Sequence, residues 1–151
     1  MVKKIFDHLK EKIKKSDDPL ITSIKLAIVG NVIDFGTMNR FNVDDMIKNA
    51  LERDFDDNDY PLFKKDLDKA DSIMYLADNS GEIFFDRLLI EELKKKGKKI
   101  TYVVKQNPII NDVLTEDTNE AGIDKIANVI TYDKGQNIST PGVVMDFASD
   151  E

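Results

Sequence analysis

The chain has 151 residues, 41% of them apolar, which is enough for one domain with a buried core. Its 22 basic and 29 acidic side chains leave a formal charge of −7, which argues against a nucleic-acid or anionic-membrane surface. It contains no Cys, which excludes disulfides and thiolate metal sites.

The first stretch, MVKKIFDHLKEKIKK, is too charged for a secretory leader. No run approaches the ~18 apolar residues of a membrane span, so a soluble cytoplasmic protein without membrane contact is expected. Val2, Ile5, Phe6, Leu9 and Ile13 fall at helical spacing. Leu20 to Ile33 is apolar almost all round and predicts a buried second helix, with Gly30 and Asn31 near its end. Val43, Met46, Ile47, Ala50 and Leu51 mark a third helix, with Asp44 and Asp45 where the helix dipole favours acids. Pro61 can start a fourth, through Leu62, Phe63 and Leu67.

Near residue 70 the pattern changes. SIMYLA (72–77) predicts a short buried strand, 82–96 a helix ending at Gly97, and KITYVV (99–104) a second strand. Residues 112–121 predict another helix and IANVIT (126–131) a third strand. Alternating strands and helices imply parallel strands. The chain is therefore divided into a helical part, 1–70, and an α/β part, 71–151.

In such a sheet, ligands gather beyond the carboxyl ends of the strands. Asp78-Asn79 ends the first strand, Lys105 ends the second, and Asn111-Asp112 follows on the same connection. Two carboxylates, two carboxamides and an ammonium would then meet at one edge, a set that suits a hard cation such as Mg²⁺ or Mn²⁺. The helix start after Gly81 could also receive a phosphate. Helix capping explains the same residues equally well. Asn79 with Glu82 three residues on reads as a capping box, and Asn111 or Asp112 could cap the next helix.

Other features point nowhere. Asp54, Asp56 and Asn58 begin like a calcium loop, but Asp59 and Lys65 stand where the loop needs Gly and Glu. KKKGKK reads as a helix end, and His8 as a lone exposed side chain. No dinucleotide, P-loop or nucleophile-elbow motif occurs. The strand end Asp78-Asn79-Ser80 lacks the second Asp that aspartyl-phosphate chemistry needs.

LADNSGEIFFDRLLIEEL together with VVKQNPIINDVLTEDTNEAGI resembles the metal-dependent damage-control phosphatase family, also called domain of unknown function eighty-nine, which includes acidic-residue methyltransferase-like proteins. KLAIVGNVIDFG and DDNDYPLFKKDLDKADSIMYLADN fit its archaeal and bacterial branch, so the resemblance runs from about residue 19 to 148. It implies a helical N-terminal part packed on a parallel, three-layer α/β (Rossmann-like) sheet. It also implies hydrolysis of a small phosphorylated metabolite, a sugar phosphate or nucleotide, with a divalent ion (Mn, Co, Ni or Mg) at the sheet edge.

Carried over by that resemblance, Asp78, Asn79 and Asp112 match the metal ligands. Lys105 and Asn111 match positions beside the phosphate. Asp78 is also implied to orient or deprotonate the attacking water. Glu82 and Asp86 match the first block's other acidic positions, and Asn31 and Asp34 a motif of the helical part that approaches the pocket. Val113 and Leu114 depart from the small Ala and Thr usual in the family. The family domain also begins further upstream and continues into a further strand and a phosphate-holding loop. On this reading the chain is a shortened member with metal affinity, weak or no phosphatase activity, and self-association through an exposed sheet edge. The alternatives are a non-catalytic metal- or phosphate-binding fragment and, third, a carboxyl methyltransferase. The last lacks a glycine-rich nucleoside-binding loop.

Overall fold

The computed structural model describes residues 2–30, 45, 47–49, 51–52, 59–105 and 111–132. Two helices come first, α1 (Val2–Lys15) and α2 (Pro19–Gly30). Asp18 starts α2, its Oδ1 accepting from the Leu20 and Ile21 N–H groups at 3.0 and 3.3 Å, as an N-cap should. The expectation that α2 is buried all round is corrected. Leu20, Ser23, Leu26, Val29 and Gly30 are buried, but Ile28 is exposed, so the helix hides one broad stripe. Residues 47–49 are helical, with Ile47 buried. Helix α3 (Tyr60–Lys69) carries Pro61 in its first turn, where a missing N–H costs nothing. The Tyr60 hydroxyl donates to Asp18 Oδ2 at 2.8 Å, tying α3 to the start of α2.

The α/β part runs β1 (Ser72–Leu76), a 3-10 turn (Ser80–Glu82), α4 (Ile83–Lys95), β2 (Lys99–Lys105), α5 (Thr115–Ala121) and β3 (Asn128–Tyr132). The sheet is parallel with order β1-β2-β3, and Tyr75 pairs with Tyr102 and Tyr102 with Val129. A consecutive order with crossovers of one hand puts both helices on the same face. The core follows that rule. Ile83, Ile90 and Leu93 of α4 and Ala121 of α5 pack with Ile100, Tyr102 and Val104. A second core joins Phe85 and Leu88 of α4 to Phe6, Leu9, Ile13, Leu26 and Val29. Helix α4 is thus the shared wall, and Phe84 packs against both cores.

This is the expected α/β class, a helical N-terminal part on a parallel sheet, with shifted boundaries. The first predicted helix turn, at Glu82, is a 3-10 turn, and α4 begins at Ile83. The helix expected from 112 begins at Thr115, because Asp112 is held in a bridge to Asn79. Gly97, at φ +80°, ends α4 as predicted. Its N–H bonds the Lys94 carbonyl at 2.9 Å and the Lys98 N–H bonds that of Leu93 at 3.3 Å, the double closure that a left-handed residue permits. No helix among the described residues is long and apolar enough to cross a membrane. Asn31, Asp34 and the acidic stretch 54–58 lie outside the described residues.

Candidate phosphate and metal site

Past the strand ends, the chain after β1 meets the chain after β2. The Val113 N–H donates to the Asp78 carbonyl at 2.9 Å, and the Ser80 N–H to that of Asn111 at 2.8 Å. These bonds flank an antiparallel bridge between Asn79 and Asp112. Residues opposed in this way project to the same face, so the Asn79 and Asp112 side chains share one side of the edge. The Lys105 N–H bonds the Val113 carbonyl at 3.1 Å, which fixes the base of the lysine beside them. Val113 is fully buried and belongs to the core under the sheet edge.

Asp112 is 8% exposed, and its Oδ2 is buried without a hydrogen-bond partner. The Lys105 ammonium lies 3.5 Å from that oxygen. The distance makes an ion pair but exceeds a charge-assisted hydrogen bond. Asp78 is exposed, as is Asn111. The backbone therefore brings Asp78, Asn79, Asn111 and Asp112 together, with Lys105 alongside. Among the described residues, no three carboxylates or imidazoles gather closely enough to hold a metal ion by themselves.

The capping alternative is corrected in detail. Asn79 precedes the 3-10 turn, but its side chain makes no cap bond. Its amide donates to Glu82 Oε1 at 2.8 Å. Neither Asn111 nor Asp112 caps α5. Leu114 holds that position, and Asp117 Oδ2 accepts the Leu114 N–H at 2.9 Å. Leucine has no acceptor to return, so only half of a capping box is made. The Asn79 and Asp112 side chains are therefore not committed to capping.

Behind the edge lie two buried acids. Glu82 is 8% and Asp86 4% exposed. Burial pushes the Glu82 carboxyl up, partly offset by its bond from Asn79, and the Asp78 charge pushes the same way as burial. Asp86 accepts from the hydroxyl of Tyr75 at 2.6 Å and from that of Tyr102 at 2.7 Å. Burial still prevails over those two bonds, and with the charges of Glu82 and Asp78 it raises the Asp86 carboxyl from 3.8 to about 6. Burial and the Asp86 charge also push both tyrosines up. Their rings stack at 5.4 Å. The tyrosine pair was not picked out in the sequence. Its signal is the register, which sets Tyr75 opposite Tyr102 beneath the first turn of α4.

Glu82 and Asp86 thus feel the charge of Asp78, and among the described residues Lys105 is the cation paired with Asp112. A buried carboxylate oxygen that lacks a hydrogen bond fits a cation. Oxygen donors suit a hard divalent ion whose shell is completed by amide oxygen and water.

Comparison with known proteins gives a consistent result. The family described as damage-control phosphatase ARMT1-like domain matches residues 1–151. A damage-control phosphatase of Archaeoglobus fulgidus is 36% identical over 156 residues, covering 100% of this chain and 52% of the relative. A damage-control phosphatase of Pyrococcus horikoshii is 36% identical over 139 residues, covering 87% and 45%. An uncharacterized protein of Methanocaldococcus jannaschii is 43% identical over 128 residues, covering 83% and 41%. The crystal structure of a P. horikoshii protein of the domain of unknown function 89 family superposes with a TM-score of 0.77 at 28% identity, covering 99% of this chain and 52% of that one. The chain spans about half the length of these relatives.

Proposed function

Because the chain belongs to the damage-control phosphatase ARMT1-like domain family, we propose that it forms the metal- and phosphate-binding part of a phosphatase acting on small phosphate esters. The observation that carries this reading is Asp112 Oδ2, a buried anionic oxygen without a hydrogen bond, opposite Asn79 and beside Lys105. Asp78, Asn79 and Asp112 would hold a divalent ion. Bound there, Mn²⁺, Co²⁺, Ni²⁺ or Mg²⁺ supplies Lewis acidity and lowers the pKa of water.

The chain's own groups do the rest. Lys105 offsets the negative charge that gathers on the phosphoryl oxygens, and the exposed Asn111 amide donates to one of them. Asp78, exposed at the edge, orients the attacking water and accepts its proton. Asn79 is held in place by its bond to Glu82, and Asp86 anchors α4, which starts directly after Glu82, to β1 and β2 through the two tyrosines.

A second reading, metal or phosphate binding without turnover, needs only the Asp112–Lys105 pair at the sheet edge and no group that activates water. One experiment separates the two. Phosphate release from a panel of sugar phosphates and nucleotides is measured with each metal, alongside Mn²⁺ binding by calorimetry, for the wild type and Asp112→Ala. Metal-stimulated release that falls ~10²-fold or more in the variant supports the phosphatase. Mn²⁺ binding that is lost in the variant, with no release from either protein, supports the second reading. Equal metal-stimulated release by both proteins rules out Asp112 as a ligand.

A further inference from the structure

We infer that Lys105 is a resident counter-ion, which a divalent cation displaces from Asp112, and that the released ammonium is then free to meet the phosphate. The inference rests on the metal reading above and extends it to the order of events.

Asp112 has a side chain only 5% exposed, and that of Lys105 is 13% exposed. A buried carboxylate without a compensating cation is strongly unfavourable, so the fold needs a positive charge there before any metal arrives. Lys105 provides it. The pairing is loose, because 3.5 Å leaves Oδ2 charge-compensated but without a hydrogen bond. An atom in that condition is open to a better partner. A divalent ion brings twice the charge and approaches a carboxylate oxygen to about 2.0–2.6 Å.

Lys105 can yield without disturbing the sheet. Its backbone is pinned at the end of β2 by the pairing with Tyr132 and by the bond to Val113. Its four-carbon stem lets the ammonium swing while the Cα stays fixed. Once displaced, it stands beside the metal with no anion of its own, and a phosphoryl group supplies one. Lys105 therefore antagonises metal binding alone and favours metal and phosphate binding together. Because linkage is reciprocal, inorganic phosphate should tighten Mn²⁺ binding by the same factor as Mn²⁺ tightens phosphate binding.

The test uses the purified 151-residue chain. Mn²⁺ is titrated by calorimetry into the wild type and Lys105→Met, with and without inorganic phosphate. Separately, acetylation of Lys105 in the wild type is followed by mass spectrometry with no addition, with Mn²⁺, and with Mn²⁺ plus phosphate. The expected results are at least ~10-fold tighter Mn²⁺ binding by Lys105→Met in the absence of phosphate, and loss of the phosphate enhancement in that variant. Acetylation should quicken several-fold with Mn²⁺ and slow again when phosphate is added. The labelling needs no variant, so it decides the matter even if Lys105→Met fails to fold. Mn²⁺ that binds the wild type but leaves Lys105 labelling unchanged would overturn the displacement while leaving the metal site intact, as would equal or weaker Mn²⁺ binding by the variant. If neither protein binds Mn²⁺, the metal reading fails and takes this inference with it.

Discussion

Replacing Asp86 by Asn should change how stability depends on pH. The carboxylate is 4% exposed and its pKa is raised from 3.8 to about 6. At 1.36 kcal/mol per pH unit, that difference corresponds to about 3 kcal/mol. The folded-state value lies above the unfolded one. The stabilisation from Asp86 is therefore fully present below its unfolded value, 3.8, and is lost as pH rises through about 6. Asn has nearly the same shape and no charge to desolvate. One tyrosine hydroxyl can still donate to its Oδ1, while the other turns to accept from Nδ2. Equilibrium urea unfolding of wild type and Asp86→Asn from pH 4 to 8 reads the effect. The difference in unfolding free energy should move by about 2–2.5 kcal/mol in favour of Asn between pH 4 and 7, the rest having accrued below pH 4. Asp18, which is lowered, is present in both proteins and cancels in the difference, whereas Glu82 is coupled to Asp86 and its own upward shift relaxes in the variant, which adds to the change in the same direction. Parallel stability curves over the whole range would show that Asp86 is not destabilised by its surroundings, and would remove the charge argument for the Tyr75–Asp86–Tyr102 cluster.

Two further substitutions test the packing. A Cβ at Gly30 would come within 2.9 Å of the Phe85 ring, so Gly30→Ala should cost about 1–3 kcal/mol in thermal unfolding despite alanine's better helix propensity; a stabilised variant would show that α2 and α4 have slack. Asp18→Ala removes the α2 cap and the partner of Tyr60 and should cost about 0.5–2 kcal/mol at neutral pH by chemical denaturation. The Asp18 carboxyl is held below its ordinary value, burial being outweighed by the hydrogen bonds from Tyr60, Ile21 and Lys64 together with the Lys64 charge. That loss should therefore shrink as pH falls through the Asp18 value, and a loss unchanged down to pH 3 would contradict it.

The elements with a strong period were legible in the sequence. Leu9 and Ile13 face a core because they are spaced for it, and Ile100, Tyr102 and Val104 share a sheet face because they alternate. The Asp78-Asn79 junction was legible as a strand end, and topology alone then placed Asn111-Asp112 near it. What the sequence did not reveal depends on contacts between distant segments. Asn79 has the composition of an N-cap, but its amide turns to Glu82 because the bridge to Asp112 fixes its backbone. Asp112 looked like the start of a helix, yet the same bridge keeps it extended and delays α5 to Thr115. Tyr75 and Tyr102 read as ordinary strand residues, and only the strand register shows that both hydroxyls reach one carboxylate.

The double duty of α4 has a consequence for how the molecule opens. A helix that belongs to one core can be shed with that core, whereas α4 belongs to two. Stripping away α1 and α2 would leave Phe85 and Leu88 facing water on a helix still clamped to the sheet. Melting the sheet would leave Ile83, Ile90 and Leu93 bare on a helix still held by α1 and α2. Arg87 adds a polar tie of the same kind, reaching the Ala121 carbonyl at the end of α5 while lying over the Phe6 ring of α1. Neither layer can leave cheaply, so the amide hydrogens of α4 should exchange only when the whole described fold opens, and those of α1, α2 and β2 should follow nearly the same free energy instead of forming a ladder of separate steps.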